Sequence, residues 1–277
     1  VYQMKDAKTG ERNKRFLWRC HDCKQQYTCR VGTVLEDSRI PVRYWCYAFW
    51  AACSSKKGVS ALQIKRQTGL SYKSALFLLH RVRLAMTDNS GGPLTGVIEA
   101  DETYVGGKKR VGNYASRVTR NPLPSMPDHK TPVFAVLERG GRVRARVVPE
   151  VTAENLRAIL METADTNAVL MTDSSKPYRV TGRMFAAHGT VNHGIKEWAK
   201  YGTNPVIHTN TIEGFFGIFK RGIRGVYHNV SRKHLHRYVT EFEFRHNNRK
   251  IDDGERTVLA IRGANGKHMT YAQAKAS

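Results

Sequence analysis

Two short aliphatic runs, Gly96 to Ala100 and Ala168 to Thr172, each end in an aspartate: Asp101 in VIEADETYVGG and Asp173 in AVLMTDSSKPY. Apolar, β-branched runs of this length read as buried strands, and a carboxylate at the end of such a strand is brought to the edge of a sheet. Between them, TPVFAVLERGGRVRARVVP reads as a hairpin turning at Gly140-Gly141. Thr152-Ala-Glu-Asn then opens a helix through about Thr163 whose Leu156, Ile159 and Leu160 face the core. The resulting order is β-β-β-α-β, an α/β arrangement.

A third acidic residue, Glu213 in HTNTIEGFFGIFKRG, falls in a helical stretch, because Ile212, Phe215, Phe216, Phe219 and Ile223 recur at offsets of three and four. Strand, strand and helix can therefore converge three carboxylates on one point. Two divalent ions held by a few carboxylates, waters and substrate phosphates activate an attacking oxygen and stabilise a leaving one. The blander readings are a turn or helix cap at Asp173 and a dipole-favoured carboxylate at Glu213. Beside Asp101, alternation places Glu99 on its face of the strand and Glu102 on the other.

At this point the chain resembles a known family, the insertion-sequence transposases of the DDE class, ISXO-like group. The resemblance is carried by EADETYVGGK, the hairpin and helix TPVFAVLERGGRVRARVVPEVTAENL, TDSSKPY, and above all HTNTIEGFFGIFKRGIRGVYHNVSRKHLHRYVTEFEFRHNNR, and runs from about Gly96 to Arg249. It implies a catalytic domain over 96–250 with the ribonuclease-H-like fold, whose core order is the β-β-β-α-β read above. It further implies that Asp101 and Asp173 are the catalytic aspartates and Glu213 the third acid, together holding two Mg²⁺ or Mn²⁺ ions. Some members of the group use an Asn just upstream, so Asn210 stays a candidate catalytic residue. The preference for Glu213 rests on a carboxylate balancing cation charge better than a neutral amide. Lys220, seven positions on and on the same helix face, resembles a basic residue that contacts DNA near the cleaved end.

Composition points the same way. With 46 Lys and Arg against 23 Asp and Glu, the formal net charge is +23, and such a surface attracts phosphates. The helices from Gly214 to Lys250, with Lys220, Arg221 and Arg224 first among their cations, read as a phosphate-positioning face. No apolar stretch reaches the roughly 18 residues of a membrane span, and the start Val-Tyr-Gln-Met-Lys has no signal-peptide core. The expected setting is a bacterial cytoplasm, on the nucleoid, and the expected partners are double-stranded DNA, as element terminal repeats and target, and further copies of the chain.

Two smaller pieces precede the catalytic domain. In residues 1–40, Cys20 and Cys23 form a C-x-x-C knuckle in WRCHDCK, which resembles the second knuckle of a zinc ribbon and supplies two thiolates to Zn²⁺. A ribbon needs a second knuckle and residues 1–19 hold none. The opening Val leads us to expect that an upstream knuckle was trimmed; the alternative is reduced thiols, with Cys29 or His21 as weak substitute ligands. Cys46 and Cys53, in an aromatic helix, read as core residues.

Residues 41–86 parse as a helix and then a helix-turn-helix, with Gly69 in the turn, Ser71 as N-cap, and Leu70, Ala75, Leu76 and Leu79 as the packing face. Its second helix carries Lys73, Arg81 and Arg83, expected to reach bases or phosphates of duplex DNA; the alternative is a plain helical hairpin. TDNSGGPLT, 87–95, has linker composition. The polar, basic stretch after Gly107, which begins with Lys108 and Lys109, reads as an insertion contacting DNA. His188 and His193 read as structural or solvated, His208 and His228 flank the Glu213 helix, and 251–277 reads as a tail. The rival functions are a structure-specific nuclease or resolvase on the same fold and a catalytically inactive DNA-binding relative.

Overall fold

The computed structural model describes residues 1–13, 16–88, 91–106 and 130–276. The chain forms two compact units, one of residues 1–55, 59–88 and 251–277, the other of 56–58 and 89–250.

The first unit opens with three two-residue strands, β1 (Tyr2–Gln3), β2 (Trp18–Arg19) and β3 (Gln26–Tyr27), paired antiparallel in that order. Cys20 and Cys23 sit in the β2–β3 turn. Helix α1 (Val42–Ser54) buries Trp45, Ala48, Phe49, Ala52 and Cys53, the three-and-four spacing of one helical face. Cys46 lies off that stripe and is exposed, which corrects its reading as a core residue. Helix α2 (Ala61–Thr68) is capped by Ser60, whose side chain accepts from the Gln63 N–H, and ends on Gly69 at φ 74°. That left-handed turn suits glycine and lets α3 (Tyr72–Ala85) start at once, capped by Ser71 onto the Ser74 N–H. Two helices thus follow one another across Gly69, inside the 41–86 span expected to hold a helix-turn-helix.

The second unit is built on a five-stranded mixed sheet. Its strands are β4 (Val97–Val105), β5 (Thr131–Glu138), β6 (Val143–Val147), β7 (Val169–Asp173) and β8 (Ala187–Val191), in the order β6-β5-β4-β7-β8. The first three pair antiparallel, while β7 runs parallel to β4 and β8 parallel to β7. Helix α4 (Ala153–Thr163), capped by Thr152 onto the Asn155 N–H, makes the crossover between β6 and β7. The β-β-β-α-β order expected from the sequence is present.

Short α5 (Lys176–Thr181) follows β7, and a small β9 (Ala199–Lys200) and β10 (Ile207–His208) hairpin leads to α6 (Asn210–Gly222) and α7 (Leu235–Asn247). Alternation along the sheet sorts the core in two. Val105, Val133, Ala135 and Leu137 pack against Ile212, Phe215, Phe216 and Phe219 of α6 and Phe242 of α7. Ile98, Ala100, Phe134 and Val136 pack against Leu156, Leu160 and Tyr178 on the other face. Each fully buried aromatic contributes roughly 2–3 kcal/mol, so α6 is seated firmly enough to fix a side chain in its first turn.

Strand β6 is a sheet edge, and α7 covers it with polar side chains. The Val143 N–H donates to Asn247 Oδ1 (2.8 Å), Asn247 Nδ2 donates to the Val143 carbonyl (3.0 Å), and the Ala145 N–H donates to Glu243 (3.1 Å). Three of the groups this edge strand leaves open are thus satisfied within the chain.

After α7 the chain returns to the first unit as α8 (Asp253–Arg262) and α9 (Tyr271–Ala276). This corrects the reading of 251–277 as a tail: Asp252 caps α8 onto the Glu255 N–H, and Ala260, Ala264 and Met269 are buried.

Candidate active site

The register of the parallel pair places the two aspartates. Val97, Ile98 and Glu99 lie opposite Val169, Leu170 and Met171, and continuing that register two places brings Asp101 beside Asp173. The ladder stops at Glu99, so the carboxylates stand where the two strands part.

Among the described residues, Asp101 Oδ1 accepts only a local bond, from the Glu102 N–H at 2.8 Å. Burial raises its carboxyl from the ordinary 3.8 to about 7; that N–H opposes the rise, and the charges of Glu102, Asp173 and Glu213 add to it. Asp173 accepts from the Ser175 N–H (3.0 Å) and Ser175 Oγ (2.7 Å), a turn that closes β7 and starts α5.

Glu213 stands in the first turn of α6, its side chain 41% exposed. Its Oε1 accepts from Thr209 Oγ1 at 3.0 Å and lies 3.3 Å from His193 Nε2. The His193 ring rests on Trp198, 5.0 Å between centroids. Sequence reasoning set His193 aside as structural or solvated, since nothing in its neighbourhood signalled that the β8–β9 connection folds back onto α6.

The three acids of β4 have separate roles. Glu99, 0% exposed, accepts from Arg139 Nε (2.7 Å), Thr211 Oγ1 (2.9 Å) and the Ile212 N–H (2.9 Å), and lies 3.2 Å from His208 Nδ1. Helix α6 has no cap from its own Thr209 side chain, which is turned to Glu213. The strand carboxylate replaces that cap. Arg139 carries the clamp further, donating to the Val206 and His208 carbonyls at 2.7 and 2.8 Å. Burial, then the Arg139 guanidinium, push the His208 ring below its ordinary 6.5. Glu102, on the opposite face as alternation requires, accepts from Tyr178 Oη at 2.6 Å, and its carboxyl is raised chiefly by burial.

Residues 93–247 match the ISXO2-like transposase domain family, more than half of the chain and the whole of the acidic cluster. The chain belongs to that family. A curated relative, the "uncharacterized protein in transposable element ISH50" of Halobacterium salinarum, is 27% identical over 234 residues, covering 82% of this chain and 76% of its own length. Among solved structures, the pre-cleavage Mos1 transpososome is matched at 12% identity over 85% of this chain and 82% of that one, with a TM-score of 0.28. The Mos1 strand transfer complex is matched with the same identity and coverage and a TM-score of 0.23.

In this transposase-family chain, the other residues singled out from sequence divide sharply. Asn210 opens α6, exposed, its backbone N–H 3.3 Å from His208 Nδ1. Lys220 follows Glu213 by seven positions, about 20° short of two full turns and so on the same side of α6. Arg221 bends back to the Gly217 carbonyl (3.0 Å), and Arg224 is exposed in the π-helical turn Ile223–Tyr227.

On α3, Lys73 is exposed, but Arg81 and Arg83 are 3% and 2% exposed. Arg81 donates to the carbonyls of Met269 (2.9 and 2.6 Å), Val34 (2.9 Å) and Glu36 (2.6 Å), and Arg83 Nη1 approaches His80 Nδ1 at 3.5 Å. The expectation that Arg81 or Arg83 reaches DNA is therefore corrected: both are interior struts of the first unit. On α7, Arg237 and Arg245 are likewise buried, Arg245 paired with Glu241, so the basic face there is narrower than the sequence count.

Lys108, Lys109 and the insertion they begin lie outside the described residues. The Cys20 thiol is held below its ordinary value by the Cys23 N–H first and the Asp22 N–H next, as in a turn that presents sulfur. Among the described residues no three His, Cys, Asp or Glu side chains gather into a ready-made metal group, at the knuckle or at the acids. Among the described residues no helix is long and apolar enough to cross a membrane.

Proposed function

We propose that the chain is the DNA transposase of an insertion sequence, cutting at the element's ends and joining the freed 3′-hydroxyl to target DNA, on a ribonuclease-H-like catalytic unit. The observation that carries this is the pairing of Asp101 and Asp173 on adjacent parallel strands, with Asp101 responding to the charges of both Asp173 and Glu213. The family match over 93–247 and the strand order β6-β5-β4-β7-β8 support it.

The donor set fits Mg²⁺ or Mn²⁺. A buried carboxyl whose proton affinity rises further beside other carboxylates, as that of Asp101 does, marks a site for positive charge, and Mg²⁺ takes one or two carboxylates plus waters and substrate phosphate oxygens, so no preassembled cage is needed. Asp101, Asp173 and Glu213 would hold the ions, which when bound supply activation of the attacking oxygen and stabilisation of the leaving one. The chain's own part is positional. Glu99 and Arg139 fix the start of α6 and hence Glu213, Ser175 orients Asp173, and Lys220, on the Glu213 side of α6, meets the cleaved strand.

Attack by water on the phosphodiester at the element's end breaks the P–O3′ bond and leaves a 3′-hydroxyl. That hydroxyl then attacks a target phosphodiester, forming a new P–O bond as the target's P–O3′ bond breaks and releases the target's own 3′-hydroxyl, and no covalent protein intermediate is required. Lys73 and neighbouring exposed residues of α3 would contact the duplex outside the cleavage site, with the protein acting as an oligomer on DNA. Cys20 and Cys23 offer two thiolates of a Zn²⁺ site whose other ligands lie elsewhere. Incubation with a duplex carrying the element's terminal sequence, a target plasmid and Mg²⁺ or Mn²⁺ tests the reading: joined products with a covalent link at the 3′ end support it, and simple hydrolysis without joining replaces it with a nuclease.

A further inference from the structure

Immediately beyond Asp173 lies an open cavity of about 400 Å³, lined by Ser175, Arg179, Arg183, His188 and Thr190 together with Asp173 itself. Arg179 projects from α5 and Arg183 from the 3-10 turn Gly182–Met184 that follows it. Both are exposed, and among the described residues neither makes an ion pair or hydrogen bond. Other arginines of this unit are committed: Arg139 to Glu99, Arg144 to Glu243, Arg146 to Glu162 and Arg245 to Glu241. Two guanidinium groups with no partner among the described residues thus open on one cavity beside Asp173.

The floor beneath them is built. Thr172 Oγ1 donates to the Asp173 carbonyl (2.7 Å) and so accepts from His188 Nε2 (2.8 Å). The His188 ring, whose proton affinity burial lowers, packs on the backbone of Gly182, where any Cβ would run into it. The strand that carries Asp173 and the turn that carries Arg183 are thereby tied together through one imidazole. Arg179 and Arg183 bring positive charge to the cavity beside the Asp173 carboxylate, in the planar fork geometry that matches phosphate oxygens.

We propose that this cavity is a docking site for a DNA backbone phosphate, held by Arg179 and Arg183, next to the phosphodiester that Asp101 and Asp173 face. A chain of phosphates entering a cluster of carboxylates is repelled, and an anchor of opposite sign on the neighbouring linkage offsets that repulsion while setting the strand's register. The proposal rests on the transposase reading, which supplies the substrate.

The test uses the full chain and a duplex with the element's terminal sequence, in which the linkages flanking the cleavage position are replaced one at a time by uncharged methylphosphonates. For the wild type, one flanking replacement should weaken binding on the order of tenfold, the scale of a charged hydrogen bond. Arg179→Ala/Arg183→Ala should weaken binding of the natural duplex by a similar factor and be insensitive to that same replacement. Its slope of log affinity against log salt should be shallower by about one to two. Arg179→Lys/Arg183→Lys should recover most of the slope.

Additive losses from the variant and the replaced linkage would overturn the site. So would a matching non-additivity with abasic nucleotides in place of methylphosphonates, since the cavity would then take a base. A wild type that shows the coupling but cuts nothing in Mg²⁺ or Mn²⁺ refutes the catalytic reading and leaves the phosphate site standing. A wild type that cuts normally while the two arginines are silent does the reverse.

Discussion

Glu99 and Asp101 lie two residues apart on the same face of one strand, yet removing their charges should move stability in opposite directions. Glu99 is fully buried and compensated by Arg139, the Thr211 hydroxyl and the Ile212 N–H. Glu99→Gln leaves the Arg139 guanidinium facing a neutral amide and turns an NH₂ group toward donors, a loss of about 3–5 kcal/mol on the scale of broken buried pairs. Asp101 has one N–H for its charge and three acids around it, and its carboxyl titrates at about 7 instead of 3.8.

The sign follows from proton linkage: between these values the folded state holds a proton that the unfolded state has released, so stability falls as pH rises. Above about pH 7 the full difference of roughly 4 kcal/mol is lost, at about 1.4 kcal/mol per tenfold displacement. Asp101→Asn removes that dependence and keeps an acceptor for the Glu102 N–H. In EDTA at pH 8 the variant should unfold at a higher temperature than the wild type, by roughly 8–16 °C at about 2–4 °C per kcal/mol. The gain should shrink steadily toward pH 4. Calorimetric scans of wild type, Glu99→Gln and Asp101→Asn across pH 4–8 decide it. A destabilised Asp101→Asn at pH 8, or a gain that ignores pH, would refute the reasoning.

Other expectations concern function directly. Glu213→Gln should remove DNA cleavage while Asn210→Ala reduces it less; the reverse ranking in a gel assay moves the third position to Asn210. Lys73→Ala should weaken duplex binding and make its salt dependence shallower with no change in melting temperature, whereas Arg81→Ala, which orphans three backbone carbonyls, should lower stability by about 3 kcal/mol or more. Equal effects of the two on melting would contradict the division of α3 into a buried and an exposed side.

The sheet was legible because its evidence is local and periodic. Aliphatic runs ending in Asp101 and Asp173, the Gly140 turn and the Thr152 cap each declare themselves within a few residues, and the five apolar positions from Ile212 to Ile223 declare α6. Three-dimensional partners were not legible. Arg81 looks like a DNA-facing cation because the carbonyl that buries it, Met269, lies 188 residues further on. The same long-range contact hides the fold of 251–277, whose own sequence is polar. Alternation put Glu99 on the Asp101 face but gave no sign that it caps a helix more than a hundred residues away. His193 reaches Glu213 only through the path of an irregular connection, which has no period to read.

The central claim is that Asp101 and Asp173 together handle one phosphodiester. The most direct measurement is cleavage and strand transfer by Asp173→Asn on an element-end duplex with Mg²⁺, beside its equilibrium binding to the same duplex. Both reactions should be lost with end binding largely retained, because the positioning contacts lie on other residues. Normal cleavage by that variant would contradict the account.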